Sequence, residues 1–122
     1  MTAEIEKTIT SLEHINVVHN GPLTVWQLLP GSESPERSIS AILLNGENHQ
    51  VKNADSDALY MVLGGVGYFT IWDGGCPRTK VVREGDCVHI RAGDLYKDVG
   101  ADLFMVCMNW PAFDASKVSV LD

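Results

Sequence analysis

Three cysteines in 122 residues, odd in number and without any C-x-x-C spacing, are not the material of a disulfide framework. Cys76, Cys87 and Cys107 read as reduced thiols of a cytoplasmic protein, which also argues against a thiolate zinc site. Basic residues are scarce as well: nine Lys and Arg against sixteen Asp and Glu leave a formal charge of −7. Nucleic acid and anionic membrane surfaces need clustered cations, so neither is expected as a partner. Only Arg78, Lys80 and Arg83 group loosely, beside a turn, and they read as a solvated face. No apolar run approaches the roughly 20 residues that span a bilayer. The first ten residues, MTAEIEKTIT, are acidic and polar, so no signal peptide is visible and the expected location is the cytoplasm. With no internal repeat, low-complexity tract or linker, residues 1–122 are expected to form one domain.

What the chain does have is a strand pattern. Ile5, Ile9, Leu12 and Ile15 predict a short N-terminal helix, because they recur on one face of a 3.6-residue period. Beyond them the period shortens to two. Strands are predicted at Leu23–Leu29, Ser38–Leu44, Ala58–Leu63, Gly67–Trp72, Thr79–Val82, Cys87–Ile90 and Leu103–Trp110. Turn signals separate them at Pro30–Glu36, Asn45-Gly46, Gly64-Gly65 and Asp73-Gly74-Gly75. Short strands punctuated at this interval predict an all-β sandwich or barrel.

The stretch GDCVHIRAGDLYKDVG, Gly85 to Gly100, carries a more specific signal. Its Gly85, Arg91, Gly93 and Tyr96 fall at the glycine, proline, glycine and histidine positions of the second cupin signature. Ala58 to Gly75, ALYMVLGGVGYFTIWDGG, is similar to the strand–glycine–strand hairpin that ends the first signature, with Gly65 and Gly67 in the turn. The resemblance to the cupin superfamily implies a single-domain jelly-roll β-barrel. It also implies where metal ligands would stand. Tyr96 replaces the last histidine, Ala58 falls at the glutamate, and Val51 and Asn53 or their neighbours fall at the H-x-H pair. No metal and no other cofactor is therefore expected.

Alternation along a strand carries Tyr60 and Val62 inward with position 58, and Tyr96 inherits the inward direction of the missing histidine. His49 lies just ahead of the vacant ligand positions. Imidazole is the side chain that titrates near neutrality, and a buried tyrosine can donate to a carbonyl or leaving oxygen. His49, Tyr60 and Tyr96 are thus the candidate catalytic residues, with Trp110, Arg91 and His19 as candidate substrate contacts. His89 and His14 read as exposed, and Cys107 as a small buried hydrophobe.

The set resembles the small metal-independent cupin dehydratases of nucleoside-antibiotic biosynthesis, which act on a nucleoside 5′-aldehyde. Further short matches are Gly21 with Leu23-Thr24-Val25-Trp26, and Pro111-Ala112-Phe113 after the last strand. A lysine expected just before Gly21 is replaced by His19 or Asn20. The resemblance implies a lyase that dehydrates a small carbonyl-bearing intermediate by His/Tyr acid–base chemistry. Two alternatives stay open: an isomerase, epimerase or cyclase using the same residues, with Asp55 or Asp57 as partner to the histidine, and a non-catalytic ligand-binding barrel. The partner is a small molecule in each case, and the chain is expected as a monomer or homodimer.

Overall fold

The computed structural model describes residues 12–121. The predicted helix falls mainly on residues outside that range, and the described chain opens with a 3₁₀ turn at Leu12–His14. Nine strands follow: β1 (Val17–Asn20), β2 (Leu23–Leu29), β3 (Ser38–Glu47), β4 (Val51–Asn53), β5 (Asp57–Asp73), β6 (Cys76–Arg83), β7 (Cys87–Ile90), β8 (Leu95–Trp110) and β9 (Val118–Val120). A second 3₁₀ turn, Ala115–Lys117, precedes β9 and is capped by the Asp114 carboxylate accepting from the Ser116 N–H.

Two long antiparallel strands organise everything else. β5, of 17 residues, runs beside β8, of 16 residues, from Asp57 opposite Trp110 to Trp72 opposite Leu95. The first half of β5 takes β7 on its other side and the second half takes β6. The second half of β8 extends through β3 to β2 and β1, and its first half carries β4 and then β9. The sheet is therefore two lobes joined at the middle of β5 and β8, where the register slips between Val62 and Gly64 and again between Gly64 and Val66. Bulges of this kind bend a strand and let one lobe fold over the other.

Glycine makes that bend possible. A Cβ on Gly65 (φ +75°) would stand 1.9 Å from the Asp102 carbonyl oxygen, and one on Gly67 would stand 2.2 Å from that of Val99. The segment Gly64–Gly67 is thus a bulged corner inside one continuous strand. The predicted hairpin turn there, and the division into Ala58–Leu63 and Gly67–Trp72, are corrected accordingly. Asn45-Gly46 is likewise a bulge within β3, not a turn. The Asp73-Gly74-Gly75 signal does make a turn. Asp73 pairs with Cys76, and both intervening glycines have positive φ, as a tight two-residue hairpin requires.

The inner faces of the lobes meet in the core. Leu44, Leu103, Met105 and Val62 are fully enclosed. Each contributes roughly 1.5–3 kcal/mol by leaving water. Leu103, Met105 and Cys107 alternate with half-buried Phe104, Val106 and Met108, as one buried face of a strand dictates. Toward one end of the barrel the inner face carries polar side chains as well, among them Gln27, Asn48, Asp98 and Asn109.

Candidate functional site

The register of the strands determines which side chains meet there. On the inner face, Gln27 lies opposite Ser40, Ser40 opposite Cys107, and Cys107 opposite Tyr60. The neighbouring inner row runs from Asn109 to Ala58 to Ile90. From the other lobe come Tyr96, Asp98, Val51 and Val120. Together these line a cavity of about 430 Å³, with Asn20, Asn48 and His49 also on its wall. A larger hollow of about 680 Å³ lies outside the barrel between the edge strands β6 and β7, lined by residues including Trp72, Arg78, Lys80, His89 and Arg91.

Inside the cavity the Tyr60 and Tyr96 hydroxyls are 2.9 Å apart and hydrogen-bonded. Phe69 holds both rings. It packs against Tyr60 at 5.3 Å between centroids and stacks on Tyr96 at 6.5 Å. Burial pushes both phenols above their ordinary pKa, most strongly Tyr60, where the neighbouring Tyr96 adds to the effect. Both therefore stay protonated at neutral pH. In a bonded pair one O–H is donated within the pair, which leaves the other O–H to face a ligand.

Cys107 lies beneath Tyr60, its Sγ donating to Asn109 Oδ1 at 3.5 Å, and burial raises its thiol to about 12. It is a neutral part of the floor and not a nucleophile. Asp98 is 3% exposed; burial raises its carboxyl, opposed by the hydrogen bond that Asn48 Nδ2 donates to Oδ1 at 3.0 Å. His49 stands at the rim, exposed to solvent on one side and facing the cavity on the other.

The three candidate substrate contacts lie elsewhere, each by one residue of alternation. Ile90 lines the cavity and Arg91 turns outward to the β6–β7 hollow. Asn109 lines the cavity, whereas Trp110 stacks on His89 at 5.6 Å on the outer face. Val18 and Asn20 line the cavity, while His19 between them is exposed, its Nδ1 3.4 Å from Thr24 Oγ1. The cavity's own amides and acid, namely Asn20, Gln27, Asn48, Asn109 and Asp98, were not singled out from sequence. Parity would have found two of them, since Asp98 is two residues from Tyr96 and Asn109 two from Cys107.

His89 is not simple surface decoration. Its Nε2 is 2.9 Å from Asp57 Oδ2, and Asp57 Oδ1 accepts the Ala92 N–H at 3.1 Å. The hydrogen bond to His89, then that from Ala92, lowers the Asp57 carboxyl below its usual value. Asp57 is thereby bound on the outer face, away from His49.

The chain has the fold of a cupin β-barrel, the architecture its signatures resembled. The likeness to solved structures is close in shape and distant in sequence. A His→Gln variant of Streptomyces PAC13 with uridine superposes with a TM-score of 0.81 at 16% identity, covering 93% of this chain and 90% of that one. Pac13, described as a unique nucleoside dehydratase, gives 0.80 at 16% identity over 93% and 89%. Bacillus subtilis oxalate decarboxylase at pH 4.6 gives 0.79 at 14% identity, over 92% of this chain and 31% of the decarboxylase. No family model matches the chain, and no curated protein matches it by sequence.

Cupin barrels commonly hold a metal, so the donor set was tested for fit. At the expected positions Val51 and Ala58 offer no donor, and the Tyr96 phenol is held protonated by burial. Among the described residues no three His, Cys, Asp or Glu side chains are grouped to hold an ion. The residues present do not fit a transition metal.

Proposed function

We propose that this protein is a lyase that removes water from a small carbonyl-bearing substrate, a nucleoside 5′-aldehyde being the best-fitting example. The observation that carries the reading is the Tyr60–Tyr96 hydroxyl pair, 2.9 Å apart, in a cavity with His49 at its rim. Elimination next to a carbonyl needs a base for the α proton and acids for two oxygens. The imidazole of His49 takes the proton. The phenol whose O–H is not donated within the pair hydrogen-bonds the carbonyl oxygen as enolate charge develops there, and the imidazolium formed at His49 passes its proton to the departing hydroxyl, which leaves as water. Phenols that resist ionisation suit this task, because they enter the reaction as donors.

Two further features support the substrate class. Among the described residues lining the cavity none is Lys or Arg, so nothing there neutralises a phosphate. Amides and hydroxyls, Asn20, Gln27, Asn109 and Ser40 among them, suit a neutral molecule rich in hydroxyl and carbonyl groups. Pac13, whose fold this chain shares, is a nucleoside dehydratase whose variants hold uridine. Of the two carboxylates named for the epimerase alternative, Asp57 is bonded to His89 on the outer face. Mass spectrometry of the product tests the proposal: dehydration predicts loss of one water from a nucleoside 5′-aldehyde. A product of unchanged mass would move the protein to the isomerase class.

A further inference from the structure

The rim segment that carries His49 is tied to β8 at both of its ends. At its start, Asn48 is held twice by one residue: its backbone N–H donates to the Asp98 carbonyl at 3.0 Å, and its Nδ2 donates to Asp98 Oδ1 at 3.0 Å. The amide oxygen of Asn48, oriented by that second bond, accepts the His49 N–H at 2.9 Å. At its end, Val51 pairs with Tyr96 on one side and Val120 on the other, and the Leu121 N–H donates to the Gln50 carbonyl at 2.9 Å.

We propose that Asp98 is a positioning residue, which acts through Asn48 to fix the backbone of His49 relative to Tyr96. The inference rests on the reading of His49 as the base. Tyr96 and Asp98 are two residues apart on the same inner face of β8, so the strand itself sets the spacing between acid and base supports. A buried carboxyl is costly unless hydrogen-bonded, and the side chain that bonds this one is Asn48, the residue that orients His49. Asp98 needs no contact with substrate for this role. It ties the start of the rim segment to the sheet.

The test uses the full chain, ¹⁵N-labelled, as wild type, Asp98→Ala, Asp98→Asn and Asn48→Ala. Amide exchange of His49 is compared with that of core residues Tyr60 and Met105, and kcat and KM are measured on a nucleoside 5′-aldehyde. In Asp98→Ala and Asn48→Ala the His49 amide should exchange at least about 10-fold faster while the core amides are unchanged. Turnover kcat should fall at least about 10-fold with little change in KM, since geometry and not binding is lost. Asp98→Asn keeps an acceptor for Asn48 Nδ2 and should recover most of both. If Asp98→Ala does not fold, Asn48→Ala carries the same comparison. Unchanged His49 exchange in the alanine variants would overturn the proposal, as would faster exchange with unaltered kcat. A wild-type chain without turnover would overturn the lyase reading alone, and the exchange contrast would still decide the clamp.

Discussion

The two faces of β5 place similar chemistry in opposite surroundings. Inward, Tyr60 lies between Val88 and Cys107, enclosed and hydrogen-bonded to another phenol. Outward, Asp57 and the His89 that faces Leu59 form a carboxylate–imidazole pair at 2.9 Å, partly open to water and flanked by Trp110. On the inner face burial is the largest influence and holds protons on; on the outer face hydrogen bonds are the largest influence and take the proton off. The outer pair is partly exposed at the β6–β7 hollow, whereas the inner pair lines the cavity.

That contrast can be broken in order of expected effect. Replacing His49 with Gln should reduce turnover by about 10²–10⁴-fold, the usual contribution of one positioned base. Tyr60→Phe should reduce it by a comparable factor, whereas His89→Ala on the outer face should leave it within about 2-fold. Steady-state assays on the three variants check this.

Stability should divide along the same line. Met105→Ala, on the enclosed inner face, should cost about 2–5 kcal/mol in urea unfolding. Met61→Ala, 47% exposed on the outer face, should cost less than about 1 kcal/mol.

The phenols predict a pH dependence of definite sign. Their folded pKa values lie above the unfolded one, so the unfolded chain ionises first as pH rises past about 10. The phenols' contribution to the unfolding free energy should be flat below that pH and fall above it, toward the elevated folded values. Tyr60→Phe should flatten the decline. The smallest effect belongs to Asp57. Its carboxyl, observed by NMR, should titrate below the ordinary range in wild type and move upward in His89→Ala.

The barrel was legible in the sequence wherever a strand was long enough to alternate. Leu23–Leu29 and Cys87–Ile90 were read with their observed boundaries, and the parity that carries Tyr60 inward with Ala58 is the parity of β5. Three short strands have no counterpart in that pattern, Val51–Asn53 and Val118–Val120 with three residues each and Val17–Asn20 with four, and β8 begins at Leu95, ahead of the predicted Leu103. The glycine corner misled for a different reason. Gly64-Gly65-Val66-Gly67 has turn composition, but its glycines answer to the approach of Asp102 and Val99 on β8, a long-range contact with no local signature. Arg91, Trp110 and His19 carry the side-chain chemistry a substrate contact needs, and each stands one step out of phase with the inner face.

The most direct measurement compares turnover of wild type and Tyr96→Phe on a nucleoside 5′-aldehyde, with uridine binding measured on both. The account predicts loss of one water by the wild type, a fall of at least about 100-fold in kcat for the variant, and near-equal uridine affinity. Equal turnover by the two proteins, or affinity lost in step with rate, would contradict an acid role for the tyrosine pair.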